Sequence, residues 1–323
     1  MRISVIIPVH NASDSIRRSA DSFLKQNYRD LELILIDDHS EDGSFEILQE
    51  LSDLYEGIVI TAQSENRGVS AARNKGLSLA TGEIIAFCDA DDFTADHSLQ
   101  YVEAFFRKYT EIDLLISGFN RVAGEKIIRT IHIGCNKKKV WTAGRALRHS
   151  LYDKRVMGAV WNKFFRKRLI GTMVFDERLS YTEDTYFLVK LLSHRRTARV
   201  CVCPEPLYNY SFNPSSATNS AGGLFGKKGR LKYDIAMECI LRLCTLSNAE
   251  RMIVRHGRFS LAADVFAGMD ISPSQKAELL KIMKQNLGYY LAVMPWNFKA
   301  DVRRLLNLLR KTEITWGRDG HTF

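Results

Sequence analysis

The sequence predicts an α/β protein, a mostly parallel sheet with helices on both faces, followed by a helical and basic C-terminal region. Three observations predict it. The first 120 residues alternate continuous apolar runs with amphipathic stretches of helical period. Acidic and polar clusters fall at the ends of the apolar runs, where open parallel sheets gather ligands. The basic excess is confined to the last third: residues 1–225 hold 29 Lys+Arg against 28 Asp+Glu, and residues 226–323 hold 17 against 9.

The elements follow in order. "ISVIIPV" reads as a strand buried on both faces. "SDSIRRSADSFLKQ" reads as a helix, with Ser13 or Asp14 as cap and Ile16, Ala20, Phe23 and Leu24 on one face. "LELILID", "GIVITAQ", "EIIAFCD" and "DLLISGF" continue the strands; "GSFEILQELSDLY", "VSAARNKGLSLA" and "HSLQYVEAFFRKY" are the helices between them. From about residue 126 the pattern loosens. "KIIRTIHI" is strand-like, "AGRALRHSLY" helix-like, and "TEDTYFLVKLLS" a helix. "PLYNYSFNPSSATNS", rich in Ser and Asn, reads as a loop and a boundary. The last third reads as four helices, "KYDIAMECILRLCTL", "RHGRFSLAADVFAGM", "SQKAELLKIMKQNLGYYLAVM" and "KADVRRLLNLLRK".

Composition narrows the class. With 323 residues, 46% hydrophobic, the chain is long enough for one large domain and an appendage. The six cysteines have no zinc spacing and read as reduced, buried thiols of a cytosolic protein. "MRISVIIPVHN" lacks the apolar core of a signal peptide, and no apolar run reaches the roughly 20 residues of a membrane span. The expected location is the cytoplasm. No Gly-x-Gly-x-x-Gly follows the first strand and no P-loop occurs, which excludes the usual dinucleotide and P-loop sites. The excess charge of +8 beyond residue 225 calls for an acidic partner or surface. Nucleic acid fits the charge, but no nucleic-acid module is present.

The chemistry concentrates in "GEIIAFCDADDF", where Asp89, Asp91 and Asp92 follow an apolar run within four positions. Like charges this close repel. Asp89 and Asp91, two apart at a strand end, form a pair of hard oxygen donors suited to Mn²⁺ or Mg²⁺, with phosphate oxygens and water filling the shell. The bland alternative is a solvated acidic turn. An EF-hand is excluded, because Phe93 stands at its fifth position and no Gly follows at its sixth. A phosphotransferase acting through a phospho-aspartate at Asp89 is a further alternative.

Together, "SVIIPVHN", "LILIDDHSEDGS" and "NRGVSAARNKGLSLATGEIIAFCDADD" resemble the family-2 glycosyltransferases of GT-A fold, over roughly the first 120 residues. The resemblance implies an inverting transferase using a nucleotide diphosphate sugar, most often UDP-linked, and a divalent metal. It divides the chain into a catalytic domain over residues 1–225 and a helical region over residues 226–323. Within the catalytic domain, residues 1–120 would bind the nucleotide sugar and residues 121–225 the acceptor. The resemblance places Pro8 beside the base, Asp38 on the uracil edge, Asp89 and Ala90 near the ribose, Asp91 on the metal with Asp89, and Arg73 near the donor. For Arg73 a surface salt bridge is the alternative; for Asp37, a turn cap; for Asp92, a supporting contact or a helix cap. "FDERLSYTEDTYF" resembles the family's second signature and makes Asp184 the base and Glu183 its neighbour. Acids in the first turn of a helix are the plain alternative. In "VWNKFFRKR", Trp161 is expected against an acceptor sugar or in the core, and Lys163 at a phosphate or on the surface. The family usually has Arg after the second Tyr of "LYNY"; here Ser211 stands there.

Bacterial relatives extend lipid-linked saccharides, and "KADVRRLLNLLRK" sets Val302, Leu305, Leu306 and Leu309 on one face, with Arg303, Arg304, Arg310 and Lys311 off it. With Trp296 and Trp316 nearby, these helices are expected on an anionic membrane at the inner face of the plasma membrane, or packed on the catalytic domain or a second subunit. The rival function is a catalytically silent, nucleotide-sugar-binding scaffold on the same fold.

Overall fold

A computed structural model describes residues 1–211, 224–226, 230–293 and 304, apart from 27, 64, 125, 134–136, 154 and 270. The chain forms two compact units, Met1–Asn213 and Pro214–Phe323.

The first unit is built on a ten-stranded sheet. Its N-terminal half alternates β1 (Ile3–Val9), α1 (Ile16–Leu24), β2 (Leu31–Asp37), α2 (Ser44–Leu54), β3 (Ile58–Ala62), α3 (Val69–Leu79) and β4 (Ile84–Phe87). These strands lie in the order β3-β2-β1-β4, all parallel. The continuous apolar runs are explained by burial on both faces. Ile3, Val5, Ile7 and Val9 of β1 pack with Ile16, Ala20 and Phe23 of α1. Ile6 points the other way, so close to α3 that a methyl at Gly76 would stand 2.4 Å from its side chain. Gly76 is what lets helix and strand approach there.

The second half bears out the strands read in "DLLISGF" and "KIIRTIHI" and adds shorter ones that the sequence pattern did not announce. β5 (Phe93–Thr94), α4 (Ser98–Lys108), β6 (Leu114–Ala123), β7 (Lys126–Ile131), β8 (Lys139–Thr142), α5 (Ala143–Tyr152), β9 (Lys163–Arg166), α6 (Lys167–Ile170), α7 (Glu183–His194) and β10 (Arg199–Ser211) follow. β9 inserts antiparallel between β4 and β6 and continues the sheet from the N-terminal half into β6 and β10. The reading of "PLYNYS" as loop is corrected. It is the second half of β10, because Leu207 and Tyr208 are buried and Asn209 donates to the Thr94 carbonyl while accepting from Asn120. Register shifts around Pro206 break the alternation that would have marked it as a strand. The rest of that serine-rich stretch lies outside the described residues.

In the second unit, α8 (Lys232–Leu241), α9 (Asn248–Gly268) and α10 (Pro273–Val293) bear out three helices. α9 starts seven residues before the expected "RHGRF", because Ser247 and Glu250 form a reciprocal capping box. A buried ion pair between Arg258 and Asp234, widened to Glu238, fixes α9 on α8. Arg258 is thus spent inside the unit, and the net excess of this region is unchanged. Of the basic residues in "KADVRRLLNLLRK" only Arg304 is described, and it forms a forked pair with Asp264. The other four, with Trp296 and Trp316, lie outside the described residues. Among the described residues no helix is long and apolar enough to cross a membrane. The described cysteines are free thiols; Cys88, Cys201 and Cys203 are buried, whereas Cys244 is exposed, contrary to expectation.

Candidate active site

The site lies beyond the carboxyl ends of β1, β2 and β4. The loops after β1 and β2 are laced together. His10 donates its Nδ1–H to the Asp38 carbonyl at 2.9 Å, which leaves Nε2 to accept from Asn66 at 3.1 Å. Asn11 donates its N–H to Ser40 Oγ and accepts from Glu41 N. Asn11 and His39 both take left-handed backbone, at φ 48° and 61°, to make these turns.

Asp37 and Asp38 are both 3% exposed. Asp37 Oδ2 accepts from Ser40 N, the turn cap that was one of its two readings. Its Oδ1 has no hydrogen-bond partner among the described residues. Asp38 Oδ1 accepts from Gln63 Nε2 at 2.7 Å and Arg67 N at 2.8 Å, and Oδ2 from Gly68 N at 2.8 Å. Its carboxylate therefore folds the loop that leads into α3. Pro8 is half-buried within β1, opposite Ile36.

Arg73, on α3, is the centre of the site. It is 4% exposed, so the surface salt bridge is excluded. One amino group donates to Glu183 at 2.6 Å and the other to Asp89 at 3.0 Å. The guanidinium also lies over the Phe175 ring. One buried cation thereby joins the end of β4 to the start of α7, and the two acidic motifs of the sequence become one site. Beside it α3 is tied to the approach to α7 through Asn74, which exchanges hydrogen bonds with the Phe175 backbone and donates to Glu177.

The three aspartates divide their labour. Asp92 is 1% exposed; it accepts from Tyr208 Oη at 2.7 Å and from Ser211 N at 2.7 Å. Burial, with the charges of Asp89 and Asp91, holds its carboxyl far above the usual range. It is a fastener between this loop and β10, not a cap for α4, whose N-cap is His97. Tyr208 Oη also accepts from Asp89 N. Asp89 is one-third exposed and Asp91 exposed. The Asp91 carboxyl is raised by partial loss of water and then by the Asp89 charge. The Asp91 carbonyl and Ser211 Oγ both accept from Arg18, so the position where an arginine was expected instead receives one from α1.

Whether a dication fits rests on these two carboxylates. Both open to solvent, both are hard oxygen donors, and each resists the other's charge. Among the described residues no group of three or more His, Cys, Asp and Glu could hold a metal by itself. A cation here would take Asp91, with Asp89, and complete its shell from a diphosphate and water.

Glu183 and Asp184 open α7, after Thr182 in left-handed backbone at φ 57°. Asp184 is half-buried, and its Oδ1 accepts from Thr185 N at 2.6 Å. Burial first, and the Glu183 charge second, push its carboxyl up to about 6; Arg73 opposes the shift. A carboxylate so placed is a competent general base near neutrality.

Trp161 takes the second of its two readings: it lies in the core, 5% exposed, stacked on Tyr208 at 4.7 Å and edge-on to Phe119. Lys163 is neither at a phosphate nor on the surface. It is 0% exposed and its ammonium is bound by backbone carbonyls. Sequence reasoning missed Arg18, Tyr208 and Thr185. The first two lie 73 and 116 positions from the aspartates they serve, and no spacing rule links them.

Comparison with known proteins bears on the family and the fold. Residues 4–171 match the family model "Glycosyl transferase family 2". The chain is 31% identical over 228 residues to the uncharacterized glycosyltransferase EpsJ of Bacillus subtilis, covering 67% of this chain and 62% of that protein. It is 38% identical over 216 residues to the poly(ribitol-phosphate) beta-glucosyltransferase of Bacillus spizizenii, covering 65% of this chain and 32% of that one. In three dimensions it is similar to S. aureus TarS 1-349 in complex with UDP-GlcNAc, with TM-score 0.71 and 20% identity, over 95% of this chain and 89% of that one.

Proposed function

Because the chain belongs to glycosyl transferase family 2, we propose that it moves a hexosyl or N-acetylhexosaminyl group from a UDP-linked donor to an acceptor hydroxyl, with inversion. The acceptor is a bacterial surface polysaccharide or a similar glycan. The observation that carries the reading is the Arg73 bridge, which brings the donor-side Asp89 and the base-side Glu183 onto one guanidinium. The name of the poly(ribitol-phosphate) relative and the UDP-GlcNAc complex of the structural neighbour support the polymer and the donor.

The mechanism follows from the chain's own groups. The acceptor hydroxyl gives its proton to Asp184, and its oxygen attacks the anomeric carbon from the face opposite the diphosphate. The bond from that carbon to the diphosphate oxygen breaks, and UDP leaves with the electron pair. Arg73 holds Glu183 and Asp89 at fixed separation, which keeps base and donor sites in register. Mn²⁺ or Mg²⁺ bound at Asp91 and Asp89 would supply Lewis-acid stabilisation of the leaving diphosphate.

The donor half of the reading is tested by Asp91→Asn. Titration calorimetry with UDP and Mn²⁺ is expected to show metal-dependent binding in the parent and none in the variant, with the fold intact by circular dichroism. Equal metal-dependent affinity in both would remove Asp91 from the metal.

A lipid-linked acceptor at an anionic membrane is supported by the +8 excess beyond residue 225. Arg304 is paired with Asp264, so the test replaces Arg303, Arg310 and Lys311 by Glu. Each basic residue near such a surface contributes roughly 1 kcal/mol. The parent is expected to sediment with anionic vesicles at low salt and the triple variant to stay in solution. A parent that never sediments would assign these helices to subunit contact or bracing.

A further inference from the structure

Lys163 opens β9 in a place with no access to water, at 0% exposure. Its Nζ donates to the carbonyls of Val156 at 3.0 Å, Met157 at 3.1 Å and Ala159 at 2.6 Å, and to Asn162 Oδ1 at 2.8 Å. All four are atoms that only accept, so three N–H donors are required and the ammonium form is the one that fits. Burial draws this group down to about 7, even with the Asp184 charge working against it. Among the described residues no carboxylate touches the ammonium. A buried cation satisfied only by neutral dipoles still needs a counter-charge nearby.

The three carbonyls belong to residues 156–159, the turn that follows α5. The turn is held in an uncommon shape, with Met157 at φ 53°. Gly158 sits directly against α7, where a methyl at its Cβ position would stand 2.0 Å from Thr185 Oγ1. Thr185 in turn holds Asp184 Oδ1 through its N–H at 2.6 Å. Lys163 is also tied to the sheet, since its neighbour Asn162 exchanges hydrogen bonds with the Ser117 backbone on β6.

We propose that Lys163 is the positioning residue for Asp184: its buried ammonium folds residues 156–159 into the platform on which Thr185 rests, and supplies a positive charge that the Asp184 carboxylate answers. The inference rests on Asp184 as the base of the proposed reaction. The groups that bear on Asp184 are Glu183 beside it, Tyr181 before α7, Arg73 from α3, Asp89 beyond β4, and Lys163 from β9. Lys163 and Arg73 favour its ionised form; the two carboxylates oppose it.

The test uses the full chain with Lys163→Met, Lys163→Arg, Asp184→Asn and the double variant Lys163→Met/Asp184→Asn. Lys163→Met is expected to keep UDP affinity and to lower kcat about 10²-fold, the cost of a base displaced by about an ångström. Loss of the cation makes ionisation of Asp184 harder, so the acid limb of the kcat profile should move up by about one pH unit. Lys163→Arg keeps the charge but not the carbonyl cradle. It should lower kcat with the acid limb unmoved, and it serves where the Met variant fails to fold. Melting temperatures at pH 5 and pH 8 close the cycle without any reference to catalysis. At pH 8, Asp184→Asn should stabilise the Lys163→Met background more than the parent. An unmoved acid limb together with additive melting shifts would overturn the proposal. Should Asp184→Asn alone leave transfer intact, the base reading fails, and the melting cycle still decides whether Lys163 and Asp184 are linked.

Discussion

Asp184→Asn is expected to bind UDP as the parent does and to transfer sugar about 10²–10⁴-fold more slowly, because only proton abstraction is lost. Single-turnover rates beside calorimetric donor affinity are the measurement. Parent-level turnover would move the base elsewhere. The parent's rate should rise with pH through about 6, where Asp184 ionises. The same group has a stability signature of opposite sense. Its folded carboxyl is raised from an ordinary 3.8 to about 6, so the folded chain holds that proton more tightly than the unfolded one. The stabilisation due to the proton is full below 3.8 and lost as pH rises through 6. Asn carries no charge at any pH. The variant should therefore melt higher than the parent at pH 8, and the advantage should fade toward pH 4. Both results together would mark Asp184 as a base kept at some cost to stability.

Arg73→Met is expected to be the most damaging single change. It strands two carboxylates that share the guanidinium, one of them on a residue 8% exposed. Breaking a buried ion pair from one side costs about 3–5 kcal/mol. In a domain of this size that is a fall of roughly 10 °C or more in Tm. Arg73→Lys should not restore activity, since one ammonium cannot serve two carboxylates with the fixed fork of a guanidinium. Differential scanning calorimetry checks the first claim and transfer assays the second. If Arg73→Lys matches the parent, Arg73 is only a counter-charge.

The N-terminal half was legible because β1, β2 and β4 are buried on both faces. Apolar runs such as "ISVIIPV" can only be central strands of a covered parallel sheet, and each run ends where a polar cluster begins. The second half was less legible for the same physical reason. β5 has two residues and β8 and β9 four each, too short for periodicity to register, and β10 is broken by register shifts at Pro206. The acidic motifs were visible as motifs; their union was not. Nothing in spacing says that Arg73 reaches Glu183 across 110 positions, nor that Asp92 is a fastener while Asp91 faces solvent. Lys163 was misread because a lysine beside "FFRKR" looks like one more surface base. Only the three carbonyls that fold back on it show otherwise.

The stack of Trp161 on Tyr208 gives the chain an optical reporter of its own. The indole lies 4.7 Å from a phenol ring whose hydroxyl holds both Asp89 and Asp92. A shift of the aspartate loop is expected to move that hydroxyl and its ring, and with them the emission of the indole. With Trp141, Trp296 and Trp316 replaced by Phe, the remaining fluorescence would come from Trp161 alone. Donor arrival could then be followed in real time, by light from a residue that never meets the sugar.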